Sequence, residues 1–390
     1  MKRTISLCTA LLLAACAAST PTPSQPPVVT TSTTTQAVEA PSRYEFDRAN
    51  LDPSVSACTD FYEYANGGWL ARNPIPPQYT GWGMLSGLQQ ENRQVLREIL
   101  ETAANKPAER RSPVEQKIGD FYASCMNTAQ IDAAGLKPLQ PELERIDEIA
   151  NIRFLQDEFA RLQMYSINTP FSFVSTQDAK NSAETIAAIQ QDGLGLPDRD
   201  YYFRTDEKSK TIRDEYVAHI RKMFELAGIA GDADAVMRLE TALAQASSTA
   251  VEQRDPAAQY NRLPLAKLAA LAPHFDWSAY LAQRGVSGID SINVNQPAFL
   301  KEVDRLVATT PLADWKSYLR WHLLTSTAPS LPTAISDENF RFRNTVLLGQ
   351  KQQQERWQRC VARTDQQIGE ALGQAYVDRR FPVLAKDRAN

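Results

Sequence analysis

The chain has three histidines, His219, His274 and His322, and no two of them lie within a helical turn of each other. A zinc site needs histidine, cysteine or carboxylate ligands that converge on one point, and on a helix this requires a spacing of three or four residues. The sequence contains neither HExxH nor CxxC. We therefore predict no catalytic residue, no metal ligand and no cofactor in this chain. A three-histidine site assembled from distant loops is the alternative.

Asp198 and Asp200 form a close pair of carboxylates in the segment GLGLPDRDYY, residues 193–202. Such a pair could transfer protons, or it could order a turn by accepting hydrogen bonds from backbone N–H groups. The glycines and the proline are typical of a tight turn, which favours the structural interpretation. Ser287, in the sequence GVSG, lacks the spacing of a nucleophile elbow.

Most of the chain after residue 43 has the hydrophobic period of α-helices, and strand signals are few. The pattern predicts a mainly α fold, a large helical lobe with a few short strands. Pro113 suits the first position of a helix. The predicted helices cover residues 84–104, 113–126, 153–165, 209–227, 232–251, 296–307 and 355–377, and the predicted strands cover 171–176, 185–190 and 291–295.

Residues 1–15 have the organisation of a bacterial lipoprotein signal peptide: a basic start, an apolar run from Ile5 to Leu13, and small residues before Cys16. We expect cleavage before Cys16 and lipidation of that cysteine, with an ordinary secretory signal as the alternative. The absence of Asp after Cys16 favours the outer membrane by analogy. The predicted location is the bacterial cell envelope, facing the periplasm and anchored to the membrane by lipid.

Residues 16–42 combine the lipidated cysteine with a Pro/Thr/Ser-rich linker that carries almost no charge, and we predict a disordered tether. Residues 43–390 then form the predicted helical domain. Its composition is that of a globular protein, since 43% of the whole chain is hydrophobic and 23% is charged. The net charge of −4, with interspersed signs, argues against a nucleic-acid partner.

The most distinctive stretch is residues 58–76, which read CTDFYEYANGGWLARNPIP. An acidic residue, clustered aromatic residues and a Gly-Gly-Trp are crowded into this short segment. The residues that define it are Cys58, Asp60, Phe61, Tyr62, Gly67, Gly68 and Trp69.

This segment resembles the opening of the neprilysin and endothelin-converting enzyme family of zinc metallopeptidases, and the chain resembles only the family's N-terminal region. Further blocks that agree in order are YASCM at 122–126, GLGLPDRDYY at 193–202, RDP with YN at 254–261, and RWQRC at 356–360. Several ordered blocks are far more specific than any single one. The match covers essentially everything after the tether.

The resemblance implies that family members continue into a thermolysin-like domain that carries HExxH and binds zinc. This chain stops close to where the helical lobe gives way to that catalytic domain, so we expect a truncated lobe, inactive alone. In the family the lobe caps the active site, and peptide substrates would be cleaved through the missing domain. A non-catalytic peptide-binding surface lipoprotein and a remnant unable to fold are the two alternatives.

The same resemblance implies a disulfide between Cys125 and Cys360, with two buried thiols as the alternative. Cys58 corresponds to a family cysteine whose partner lies in a region absent here. We therefore predict that Cys58 is a free thiol.

Overall fold

The computed structural model describes residues 47–381, which divide at Arg72 into two compact units. The predicted signal peptide and linker, residues 1–42, lie outside the described residues, as does Cys16. The predicted domain of residues 43–390 spans both units, so its boundaries stay a prediction. The first unit, within residues 47–72, has a short 3₁₀ helix (Arg48–Asn50) and helix α1 (Phe61–Arg72).

Helices dominate the second unit over residues 73–381, as the sequence pattern predicted. They are α2 (Met84–Asn105), α3 (Pro113–Met126), α4 (Thr128–Ala134), α5 (Gln140–Asp147), α6 (Ile152–Met164), α7 (Asp200–Phe203), α8 (Glu207–Ala227), α9 (Ala233–Ala246), α10 (Leu265–Leu271), α11 (Trp277–Gln283), α12 (Pro297–Thr309), α13 (Leu312–Thr327), α14 (Thr333–Phe340) and α15 (Arg356–Arg380). None of the helices in the described residues is long and apolar enough to cross a membrane.

One small sheet accompanies the helices of the second unit. Its strands are β1 (Phe171–Asp178), β2 (Asn181–Gln191), β3 (Arg262–Pro264) and β4 (Ser291–Val294). The strand order is β1-β2-β4-β3, with β2 and β4 parallel and the other neighbours antiparallel. The β1–β2 hairpin turns at Asp178, whose carboxylate accepts hydrogen bonds from the N–H groups of Lys180 and Asn181.

Local chemistry fixes several helix ends. Ser112 and Glu115 form a capping box at the start of α3, and Pro113 occupies the first helical position, as predicted. Asp206 accepts a hydrogen bond from the N–H of Ser209 and caps α8. Gly228 ends α8 in the left-handed conformation, with φ of +63°.

The core of the second unit consists of three clusters of buried side chains. The first core surrounds the sheet and includes Phe159, Phe171 and Trp315. The second core contains Tyr216, Trp321 and Phe342. Leu136, Leu139, Leu194 and Ile229 pack against both of these cores.

The third core lies between α2, α3 and α15 and contains Leu100, Ile118 and Leu372. Its partly buried members belong to neither of the other two clusters. The third core is therefore a three-helix cluster with its own side chains.

Within residues 47–381, eight helices fall outside the predicted helix ranges, namely α1, α4, α5, α7, α10, α11, α13 and α14. Two further elements also differ from the sequence prediction. Helix α9 was predicted to reach Val251 but ends at Ala246, because the next residues leave the helix and the N–H of Ser248 donates to the side chain of Gln191. Strand β3 was missed because it is only three residues long and forms by pairing with β4.

Candidate functional site

Each histidine lies beside a different carboxylate. His219 lies on α8, His274 in the loop before α11, and His322 on α13. The pairs are His219 Nδ1 with Glu338 Oε1 at 2.7 Å, His274 Nδ1 with Asp304 Oδ2 at 2.8 Å, and His322 Nε2 with Glu240 Oε1 at 3.2 Å.

These pairs do not fit a zinc site. Within residues 47–381 no group of three or more histidine, cysteine or carboxylate side chains is placed to hold a metal ion. A structural or catalytic zinc site needs at least three protein ligands. The prediction that this chain binds no metal stays a prediction, and the described residues offer no site that argues against it.

A buried polar site is centred on Glu240, which lies on α9 and is completely buried. The hydroxyl of Tyr202 donates to Oε2 at 2.7 Å, and the hydroxyl of Tyr216 lies 2.9 Å from both carboxylate oxygens. Trp321 Nε1 in turn donates to the Tyr216 hydroxyl at 2.8 Å. Burial, together with the negative charge of Glu240, raises the pKa of both tyrosines well above its usual range. Both phenols are therefore fixed as hydrogen-bond donors.

The Glu240 cluster anchors the turn that contains the predicted carboxylate pair. The backbone N–H of Leu196 donates to the Tyr202 hydroxyl at 3.1 Å. A Cβ atom on Gly195 would lie 1.7 Å from the Tyr216 hydroxyl oxygen, so only glycine lets the backbone pass here. Gly193 has φ of +86°, which also favours glycine, and its carbonyl accepts a hydrogen bond from Tyr318.

Asp198 and Asp200 have the contacts of turn residues. One carboxylate oxygen of Asp198 accepts a hydrogen bond from the backbone N–H of Asp200 at 2.7 Å. Asp200 has Arg199 and Arg204 nearby, at 3.4 and 3.8 Å. The cavity beside Asp198 has a volume of only 170 Å³, less than most ligand pockets. The contacts favour the structural interpretation over proton transfer.

A second polar cluster surrounds His219, which is completely buried and stacks on Phe342 with ring centroids 4.7 Å apart. Its Nδ1 faces Glu338, while its Nε2 has no hydrogen-bond partner among the described residues. Burial lowers the pKa of His219 despite the neighbouring carboxylate. Burial would raise the pKa of Glu338, but hydrogen bonds from His219 and Arg341 lower it to about 2. The cluster therefore favours a neutral imidazole that donates from Nδ1 to a carboxylate.

The motif of residues 58–76 forms helix α1 and the loop before it. Asp60 caps this helix by accepting a hydrogen bond from the N–H of Glu63 at 2.9 Å. A Cβ atom on Gly67 would lie 2.8 Å from Asp52, and one on Gly68 would lie 2.3 Å from the Ala49 carbonyl oxygen. The two glycines therefore let the preceding chain pack directly on α1.

The other residues of this motif lie at or near the surface. Phe61 and Tyr62 are exposed, Trp69 is half-buried, and Cys58 is exposed and forms no disulfide within residues 47–381. We see no arrangement of these side chains that could carry out a reaction.

The structure joins Cys125 on α3 to Cys360 on α15, as the resemblance implied, with Cα atoms 5.7 Å apart. The disulfide links two helices of the third core across 235 residues of sequence. The sequence alone did not reveal the Glu240 cluster. A signal was nevertheless present, because Glu240 is a charged residue next to Leu239 on the apolar face of a predicted helix.

Comparisons with known proteins agree with this fold. A family model described as Peptidase family M13, for its N-terminal domain, matches residues 57–390. Endothelin-converting enzyme 1 of Mus musculus is 30% identical over 359 residues, which cover 87% of this chain and 46% of that protein. The Homo sapiens enzyme of the same name is also 30% identical, over 361 residues and the same shares of both chains.

Among solved structures, the Mycobacterium tuberculosis zinc metalloprotease Zmp1 in complex with an inhibitor matches with a TM-score of 0.80 and 30% identity. That match covers 88% of this chain and 52% of Zmp1. The chain belongs to peptidase family M13, the neprilysin family, and its fold is that of the family's N-terminal domain. It spans about half the length of the curated relatives it matches.

Proposed function

We propose that this chain is the N-terminal helical lobe of a neprilysin-like zinc metalloendopeptidase that cleaves peptides. The observation that carries the proposal is the family match over residues 57–390, together with the likeness of this fold to one half of a zinc metalloprotease. In this proposal a catalytic domain outside the described residues supplies the zinc and the activated water. The helical lobe contributes the cover over the active site and limits which peptides reach it.

The lobe by itself should neither hold zinc nor hydrolyse peptides. This part of the proposal is supported by the three histidine–carboxylate pairs, none of which has a third ligand nearby within residues 47–381. Zinc content, measured by mass spectrometry on the purified chain, should be far below one ion per molecule. One equivalent of tightly held zinc would contradict the proposal.

A chimera tests the role of the lobe directly. Residues 57–390 would be joined to the C-terminal half of Mycobacterium tuberculosis Zmp1, and hydrolysis of a quenched fluorescent peptide would be measured. We expect zinc-dependent hydrolysis that stops when the glutamate of the family's HExxH is replaced by glutamine. A folded chimera that binds one zinc ion but leaves the peptide intact would contradict a role as a peptidase lobe.

We further propose that Cys16 is lipidated and holds the protein on the periplasmic side of the cell envelope. The proposal is supported by the basic, apolar and small-residue order of residues 1–15. An alkyne fatty acid fed to the producing cells should label the wild-type protein and the control Cys8→Ser, but not Cys16→Ser. Label retained by Cys16→Ser would contradict lipidation at this cysteine.

A further inference from the structure

A cavity of 420 Å³ lies beside the Cys125–Cys360 disulfide, between α3, α4, α15 and the 3₁₀ helix Ala328–Ser330. Its volume falls within the range of small-molecule sites, which are about 300–1,000 Å³. Part of the wall is apolar and includes Phe121, Ile131 and Pro329. The cavity is therefore large enough, and apolar enough, to enclose the body of a small organic molecule.

Three arginines line the same cavity. Arg356, Arg359 and Arg363 follow one another on α15 at spacings of three and four residues, which places them on one face of the helix. No aspartate or glutamate lines this cavity. In a chain with a net charge of −4, this is a concentrated site of positive charge.

The arginines keep free donors for a ligand. Arg356 donates from Nε to the carbonyl of Cys125 at 2.9 Å, and Arg363 donates to the Ser330 hydroxyl at 2.9 Å. Each of these contacts uses only part of a guanidinium group, which has five N–H donors. Arg359 Nε is buried and has no hydrogen-bond partner among the described residues. Within residues 47–381 none of the three forms an ion pair with a carboxylate.

The electrostatics point in the same direction. The pKa of Arg359 is lowered, mainly by burial and to a smaller extent by the positive charge of Arg356. The negative charge of Asp337 raises this pKa, but offsets the lowering only in part. Two guanidinium groups close together repel each other, and an anion between them would relieve that repulsion. A carboxylate matches the planar fork of arginine geometrically.

We propose that this cavity binds a small organic carboxylate, with the carboxylate against the three arginines and an apolar group against Phe121 and Ile131. Because part of the cavity wall is apolar, the cavity favours an organic carboxylate over inorganic phosphate. The carboxylate could belong to a free organic acid or to the C-terminus of a peptide. The site uses only residues of this chain and does not depend on the proposed peptidase function.

Binding to the purified full chain can be measured by isothermal titration calorimetry with 3-phenylpropionate, N-acetylphenylalanine, neutral 3-phenylpropanamide and inorganic phosphate. We expect at least one of the two acids to bind, and the amide and phosphate to bind at least about tenfold more weakly. Equal binding of the two acids would support the site with a free organic acid as its ligand. Preference for N-acetylphenylalanine would support it with a peptide C-terminus.

Arg359→Gln and Arg363→Gln should each weaken binding of the acid by about tenfold, because a charge-assisted hydrogen bond is lost. Arg305→Gln is the matched control, since Arg305 lies on α12, pairs with Glu302 and does not line the cavity. It should bind as the wild type does. If near-ultraviolet circular dichroism shows that Arg359→Gln does not fold, the affinity of Arg363→Gln for the acid still tests the proposed site.

Three results would overturn the proposal. The first is a neutral amide that binds as tightly as the acids. The second is a folded wild-type chain that binds neither acid at millimolar concentration. The third is wild-type affinity in folded Arg363→Gln.

Discussion

Gly195 shows how one residue permits the contact between the turn at 193–202 and the Glu240 cluster. The space that a side chain would need is already occupied by the hydroxyl of Tyr216, and a Cβ atom would also come within 3.0 Å of a Glu240 oxygen. The constraint is steric, because Gly195 does not have the positive φ that Gly193 has.

We predict that Gly195→Ala destabilises the protein by about 1–3 kcal/mol, the usual cost of overpacking a core. Gly373→Ala is the matched control, because its Cβ would meet no atom within 4 Å and it lies inside α15. That control should stabilise by about 0.5–1 kcal/mol through helix propensity. Urea unfolding measures both changes. Equal effects of the two substitutions would show that the turn does not press on Tyr216 as described.

His219 makes stability depend on pH in a specific window. In the folded protein the pKa of His219 lies below the ordinary value of 6.5, and the main cause is the burial of its side chain. Protonation would place a second N–H at Nε2, where no acceptor is available among the described residues. The unfolded chain therefore binds this proton more readily than the folded chain, and the free energy of unfolding falls as pH falls through 6.5.

We predict that urea unfolding of the wild type shows this loss between about pH 7.5 and 5.5, and that His219→Gln shows a flatter profile there. Glu338, with a pKa of about 2, affects a separate and more acidic window. Its contribution to the free energy of unfolding is complete above pH 4.5, the pKa of a glutamate in the unfolded chain. That contribution is lost as pH falls through about 2, the pKa in the folded protein. Parallel profiles for wild type and His219→Gln between pH 7.5 and 5.5 would contradict the assignment to His219.

At the level of elements, the disulfide joins two long helices that also share an apolar core. Cys125 lies near the end of α3, and Cys360 lies in the second turn of α15. The loop that it closes is long, and a long loop loses more conformational entropy in the unfolded chain when it is closed.

We predict that Cys125→Ala combined with Cys360→Ala lowers the free energy of unfolding by up to about 5 kcal/mol, the chain-entropy value for a loop of 235 residues. A reducing agent should destabilise the wild type similarly and leave the double variant unchanged. Cys58→Ala is the control and should be neutral, since Cys58 is exposed and unpaired within residues 47–381. Destabilisation by reductant in the double variant would point to a different cause.

At the level of the whole molecule, the three cores of the second unit are not equally connected. Leu136, Leu139, Leu194 and Ile229 join the first core to the second, whereas the third core shares no hydrophobic side chain with either. Cooperative unfolding follows shared contacts, so the first and second cores should open together and the third should open separately.

Hydrogen exchange measured by mass spectrometry tests this prediction. Leu100→Ala, at a completely buried site of the third core, should cost about 2–5 kcal/mol and accelerate exchange mainly in α2, α3 and α15. Leu243→Ala, the same substitution at a completely buried site of the first core, should accelerate exchange in the first and second cores together. Uniform acceleration over all three cores by Leu100→Ala would contradict a separate third core.

Much of the helical architecture could be predicted because a helix is encoded within a few turns of sequence. The period of apolar residues placed α2 and α8 close to their observed positions, and Pro113 marked the start of α3 correctly. The end of α9 could not be predicted in this way. It depends on a hydrogen bond between Gln191 and Ser248, which are 57 residues apart.

The ordered motifs were enough to identify the family, because they are short, local and specific. The sequence also displayed the arginines at 356, 359 and 363, but not that they share a cavity without carboxylates, and it gave no hint that Glu240 would meet two tyrosines and a histidine. Those arrangements depend on side chains brought together from distant parts of the chain. Periodicity reports which face of an element is buried, whereas packing alone fixes which polar groups meet there.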